Sequence, residues 1–219
     1  MILTSTQDFW TKLKKHLLAR IKAKQANVEV SSSTLSIANL DEANSAMELD
    51  SLFFKKECMY QHNIIRINYT TYDVRRAQDV INPNTDHRDV ILLSAADPDQ
   101  PHHQYVYARV LGIYHANIIY TASEVPDYRP QRMEFLWVRW FTNTQNEPVQ
   151  RSWRKRQLDC LQLLPVNHED AFGFLDPGNV LRGVHLVPRF AKGRCHPDGR
   201  GISECARDSN DWNQYYACR

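Results

Sequence analysis

Glycine is scarce in this chain, at 7 of 219 residues. The closest pair, Gly199 and Gly201, is followed by neither Lys-Ser nor Lys-Thr. Phosphate-cradling loops and dinucleotide fingerprints need closely spaced glycines, because backbone N–H groups must approach the phosphate; both are therefore excluded. The strings GxSxG and HExxH are also missing, which removes the serine-hydrolase elbow and the zinc-protease helix. No CxxC occurs among the five cysteines, Cys58, Cys160, Cys195, Cys205 and Cys218. Their odd number and wide spacing point to free thiols in a reduced, intracellular protein. No stretch approaches the roughly 18 apolar residues of a membrane span. Lys12, Lys14 and Lys15 interrupt the N-terminal segment where a signal peptide would need an apolar core. No membrane partner and no cofactor are expected.

What remains is the composition of an ordinary globular chain, 42% hydrophobic and 24% charged. A chain this long buries roughly 70% of its unfolded surface and needs no staple to fold. Its net charge is only +2, from 27 basic and 25 acidic residues, so distribution matters more than the sum. Residues 1–25 hold Lys12, Lys14, Lys15, Arg20, Lys22 and Lys24 against Asp8 alone, whereas residues 26–62 are acidic. Arg151, Arg154, Lys155 and Arg156 form a short basic cluster around Trp153. Such a cluster can contact phosphate, although most are solvated surface.

Phe9, Leu13, Leu17 and Ile21 recur at intervals of four, with Trp10 and Leu18 beside them. This predicts an amphipathic helix over 7–24 with Thr6 as its N-cap, apolar on one face and basic on the other. Residues 26–50 are Ser-, Asn- and acid-rich and read as a polar link, with room for a short helix near 40–55. From residue 58 the period changes to two. Strands are expected at Ile65–Thr71, Val90–Leu93, Tyr105–Tyr114, Ile118–Thr121, Phe135–Phe141, Leu158–Leu164 and Val184–Val187, with His115-Ala116-Asn117 as a turn. Asp176-Pro177-Gly178 is turn chemistry before a short helical segment. The fold class is thus mainly β (α+β), a barrel or small sandwich with an N-terminal helix. The expected division is a helix and linker at 1–57, a barrel-like domain at 58–190 and an irregular tail at 191–219 whose Trp212, Tyr215 and Tyr216 pack back on the barrel.

Two groupings could hold a metal. Asp97, Asp99, His102 and His103, with His87 and Asp89 nearby, could bind a divalent ion or supply an acid/base pair. The prolines Pro98 and Pro101 mark this stretch instead as an exposed turn. Cys195, His196, Cys205 and Cys218 lack the two-to-four-residue spacing usual in zinc sites. Cys58 and Cys160 are expected as buried small apolar residues, and His185 as a core histidine. Tyr105, Tyr107, Trp137 and Trp140 sit on strands. Exposed rings of this kind stack on bases or cage a methylated lysine; buried, each contributes on the order of 2–3 kcal/mol as core. Trp137 and Trp140, three apart, point to opposite faces of a regular strand.

The strings Tyr-Thr-Thr-Tyr-Asp-Val-Arg-Arg (69–76), Tyr-Ala-Arg-Val (107–110), Phe-Leu-Trp-Val-Arg-Trp-Phe (135–141), Ala-Phe-Gly-Phe-Leu-Asp-Pro (171–177) and Arg-Gly-Val-His-Leu-Val-Pro (182–188) carry a resemblance. With them the chain resembles the C-terminal region of proteins encoded by Plavaka-type and related DDE transposons of mushroom-forming fungi. The resemblance implies that the catalytic transposase core lies upstream of the region present here. The chain departs from that family in having Val106 where Trp is usual, and in stopping where the family continues with another apolar strand. At the level of fold, Tyr107-Ala-Arg-Val-Leu-Gly-Ile, Val138-Arg-Trp-Phe, the Asp-Pro turn and Val184-His-Leu-Val are similar to the bromo-adjacent homology (BAH) domain. That resemblance implies a distorted β-barrel of chromatin proteins, which binds nucleosomes, histone tails or protein partners.

The expectation is a non-enzymatic, nuclear binding module whose partner is chromatin, a histone peptide or a transposase core. Three alternatives stand beside it. They are sequence-independent DNA binding through Arg151, Arg154, Lys155, Arg156 and the basic helix, a metal-dependent hydrolase using residues 86–103, and a transposon relic with no selected function.

Overall fold

The computed structural model describes residues 4–25, 48–71, 73, 75–94, 104–122, 127–144 and 158–218. Helix α1 (Thr4–Gln25) precedes strands β1 (Leu52–Phe54), β2 (Tyr60–His62), β3 (Ile65–Thr70), β4 (Arg76–Ile81), β5 (Asp89–Leu93), β6 (Tyr105–Tyr120), β7 (Asp127–Asn143), β8 (Asp159–Leu163), β9 (Phe172–Leu175), β10 (Arg182–Gly183), β11 (His185–Pro188) and β12 (Tyr215–Cys218). The chain is mainly β, with a helix at its start.

The long antiparallel pair β6 and β7 is the spine of the sheet. On its other edge β6 pairs in turn with β5, β2 and β1, and β7 pairs with β9 and β8. Strand β12 lies between β8 and β11, and β10 pairs with β5. The path β10-β5-β6-β7-β8-β12-β11 therefore has ends that are separated in the chain by Val184 alone. The Val184 N–H donates to the Asp89 carbonyl at 2.9 Å, so the path bends round at this residue, although the described residues form no closed barrel.

Side-chain alternation along the strands then makes two sides. The inner side gathers Ile91, Tyr107, Phe141, Leu161, Leu163, Val184, Tyr215 and Ala217. The outer side carries Val90, Leu92, Ala108, Val110, Leu136 and Val138, which the β3–β4 hairpin covers with Ile67 and Ile81. Beyond the inner cluster, α1 packs Leu13, Leu17, Leu18 and Ile21 against Ala116, Ile118, Met133 and Phe135. Three of those four helix residues are 2% exposed or less. Fully burying each such side chain contributes about 1.5–3 kcal/mol, so helix docking is a principal part of the fold.

Several expectations need correction. Helix α1 begins by Thr4, so Thr6 lies within it and is not its cap. His115-Ala116-Asn117 is no turn, because β6 runs unbroken from Tyr105 to Tyr120. Ala116 is buried under α1, while His115 and Asn117 lie on the less covered side, which is why they are polar. The tail is not wholly irregular. Its Tyr215–Cys218 segment is a strand paired on both edges, and Tyr215 and Trp212 do pack into the inner cluster. Strand β4, reading Arg-Ala-Gln-Asp-Val-Ile, lies outside the expected strands because its polarity does not follow its burial: Asp79 sits on the more covered side while Val80 is exposed.

Candidate functional site

Asp89, Arg109 and Arg139 are successive Cα partners across β5, β6 and β7. Pairing register thus aims all three at the inner side. Two arginines directly opposite each other repel, and the tail resolves this with Asp211. Its carboxylate accepts from Arg109 Nη1 at 2.7 Å and from Arg139 Nη1 at 2.8 Å. Arg109 also donates to both Asp89 oxygens, at 2.8 and 3.2 Å. Arg139 donates twice to the Leu164 carbonyl, at 3.1 and 2.8 Å. The Phe141 and Tyr215 rings flank the Arg109 guanidinium at 5.4 and 5.1 Å. All four charged residues are 5% exposed or less. Burial disfavours the Arg109 cation, yet Asp89, Tyr215 and Asp211 together raise its pKa above the ordinary arginine value. Two guanidiniums meet two carboxylates with their hydrogen-bonding groups engaged. These four charges balance one another inside the sheet.

Asp208, three residues earlier, is 2% exposed. It accepts backbone N–H groups from Ile202 at 3.0 Å and Ser203 at 3.1 Å, and it faces His196 Nε2 at 3.3 Å. Burial opposes its ionisation, but these N–H donors and His196 hold its pKa below the usual carboxylate value. His196 is thus engaged by a carboxylate, while Cys195 and Cys205 are exposed and Cys218 lies in β12.

The surface offers a different kind of grouping. The register Tyr60↔His115↔Glu134 across β2, β6 and β7, with Phe53↔Ile119 between β1 and β6, sets these residues on the side of the sheet away from α1. Phe53 is 53% exposed and Tyr60 44%. Tyr60 stacks on His115 at 4.7 Å and 11°. His62 approaches His115 with Nε2 and Nδ1 2.6 Å apart. Arg132 pairs with Glu134 at 3.0 Å. Ile64, two residues after His62, is 44% exposed. This grouping is hidden in the sequence, because His115-Ala116-Asn117 reads as a turn and β1 and β2 are only three residues long.

The expected binding rings lie elsewhere. Tyr107 is 2% exposed, with its hydroxyl donating to Asp159, so it is an interior ring and not a surface one. Tyr105 packs on the inner cluster. Trp137 meets Phe9 of α1 edge-on at 5.6 Å and lies tilted on Phe172 at 5.9 Å. Trp140 packs against the outer core under the hairpin. The two tryptophans therefore do point to opposite sides, and each meets other protein groups there. Arg151, Arg154, Lys155 and Arg156 lie outside the described residues, as do Asp97, Asp99, His102 and His103. Asp89 belongs to the buried core network, and His87 is exposed. Cys160 is buried, whereas Cys58 is only partly so. His185 is exposed, not a core residue. It does share a side with Val187, but Val184 and Leu186 are the residues that face the inner cluster.

The basic residues of α1 are largely engaged by the domain itself. Lys12 donates to the Glu169 carbonyl at 2.5 Å, Lys14 to Leu49 at 3.1 Å, Lys22 to Glu48 at 2.6 Å, and Arg20 pairs with Asp176 at 2.7 Å.

No protein-family model, curated protein or solved structure matches this chain.

Proposed function

We propose that this chain is a non-enzymatic, BAH-like binding module that holds a protein partner on the sheet side bearing Phe53, Tyr60 and His115, with chromatin as the partner class. The observation that carries the reading is the contrast between the two charged or aromatic groupings. The inner one is neutralised within itself, while the outer one presents half-exposed rings on a rigid sheet. Exposed aromatic groups of this kind are typical anchors of recognition surfaces. The curled path through Val184, together with the Asp176–Pro177 turn ahead of β10, supports the barrel half of the reading. Fold likeness alone does not establish function, so the chromatin half rests on the sequence resemblance and is tested directly. The resemblance to transposon-encoded proteins fits a nuclear accessory role beside a catalytic core.

The test is fluorescence anisotropy of labelled histone H3 and H4 tail peptides with the full chain. Binding with modest salt dependence, weakened at least tenfold in Tyr60→Ala, is the expected result. Binding to duplex DNA that instead falls steeply with salt, and is lost in Arg151/Arg154/Lys155/Arg156→Ala, would replace it with the nucleic-acid reading. No peptide binding by a folded sample would overturn it.

A further inference from the structure

Across the edge of β2 and β6, His62 and His115 bring two imidazole nitrogens to 2.6 Å of each other. Both rings are partly open to solvent. Their positions are fixed by the sheet, because Tyr60↔His115 and His62↔Ile113 are paired register positions. Tyr60 stacks on His115 and holds its ring plane. Among the described residues no group of three or more His, Cys, Asp or Glu side chains is arranged to hold a metal ion. Any metal here would be held at two points, with water in its other positions.

We propose that His62 Nε2 and His115 Nδ1 form a two-imidazole chelate for a divalent transition metal of tetragonal preference, Cu²⁺ or Ni²⁺. Two cis ligands at about 2.0 Å in a square-planar or octahedral ion are about 2.8 Å apart, whereas a tetrahedral zinc ion asks for about 3.3 Å. The observed separation requires only a small spread for the first and a larger one for the second. Imidazole is a favoured ligand of copper and nickel, and Cu²⁺ leads the divalent affinity order.

Binding leaves the proton count of the neutral pair unchanged. In the hydrogen-bonded pair one facing nitrogen carries a proton and the other accepts it. On chelation the donor ring moves that proton to its far nitrogen, so both facing nitrogens offer lone pairs to the metal and each ring stays neutral. The charged groups around the pair are Glu134, opposite His115, and Arg132, its ion-pair partner. Their charges offset one another. Cys58 lies two positions before Tyr60. Ni²⁺ is accordingly the better probe, since Cu²⁺ can oxidise thiols.

The experiment is isothermal titration of the full chain with NiCl₂, repeated for His62→Ala, His115→Ala, and His185→Ala as a control at an exposed histidine elsewhere. One equivalent of Ni²⁺ should bind the parent chain and the His185→Ala control alike, and either pair variant should weaken binding at least tenfold. ZnCl₂ should bind more weakly than NiCl₂. Equal affinity in all four proteins would overturn the proposal, as would loss in His185→Ala. Because a chelate ties β2 to β6, Ni²⁺ should also raise the melting temperature of the parent and not of the pair variants. A rise that persists in both pair variants would place the metal elsewhere.

Discussion

Arg109 and Asp211 meet at 2.7 Å across 102 residues of sequence, both nearly inaccessible to solvent. The contact joins the first third of β6 to the loop just before β12. It makes the last strand a condition for neutralising the arginines of the inner side.

Removing that carboxylate leaves Arg109 and Arg139 neighbours across β6 and β7, with Asp89 paired to Arg109 on the β5 side and no longer any carboxylate bridging the two cations. Asp211→Ala should therefore destabilise the fold by about 3–5 kcal/mol, the cost of breaking a buried ion pair from one side. Urea denaturation of the two proteins measures it. A loss under 1 kcal/mol would mean that the inner side is wetter than the structure shows.

Helix α1 offers an independent test of packing. Leu17 is fully buried against the end of the β6–β7 pair, and Leu17→Ala should cost about 2–5 kcal/mol. Lys15, exposed on the same helix, should tolerate alanine within about 0.5 kcal/mol. Equal effects of the two changes would mean that the helix is not docked as described.

The pH dependence should have a component from His16. Burial, with help from the Arg20 charge, lowers its pKa from 6.5 to about 4. Its Nε2 is buried with no hydrogen-bond partner. The folded chain thus holds a neutral imidazole that the unfolded chain would protonate below pH 6.5. Between pH 6.5 and 4 the unfolded state binds the extra proton, so stability falls as pH falls through that window. The loss reaches roughly 3 kcal/mol at its lower end and is absent above pH 7. His16→Gln should flatten that part of the stability–pH curve, measured by urea midpoints at half-unit steps. An unchanged slope would remove His16 as its source.

Gly201 tests the tail loop. A Cβ at that position would lie 2.8 Å from the Ser209 backbone nitrogen and would press on the Asp208 carboxylate. Backbone cannot swing aside as a side-chain tip can. Gly201→Ala should cost about 1–3 kcal/mol through overpacking, and it should also disturb Asp211 three residues beyond Asp208. Two-dimensional NMR would show shifts at both Asp208 and Arg109. Shifts confined to residues 199–203 would show that the loop yields without moving the ion network.

Much of the architecture could be read from residue order. The alternation from Ile65 gives β3 nearly to the residue, and the four-residue stripe gives α1 apart from its first turn, which begins by Thr4. Periodicity failed where a strand changes partners. Along β6 the covered side passes from Val110, beneath the hairpin, to Ala116, beneath the helix, with a register shift between Val110 and Gly112. A strand buried first on one side and then on the other loses its simple alternation, and the polar run at His115–Asn117 then imitates a turn. The ion network was illegible for a different reason. Asp89, Arg109, Arg139 and Asp211 are ordinary charged residues far apart in the chain, and only pairing register shows that they converge. The His62–His115 contact had the same obstacle, since β2 is too short to announce itself.

The position of β12 has a consequence for how the molecule comes into being. This strand is synthesised after both of the strands it separates, β8 and β11, and after every residue whose charge Asp211 balances. A growing chain can dock α1 and form the β6–β7 pair early, but it must keep a gap open for β12. Most of the closing contacts span large sequence separations, a topology that folds slowly. Until that insertion occurs, two strand edges and an arginine pair balanced only by Asp89 stay exposed together, and this interval is when the protein is most open to misassembly with a second chain.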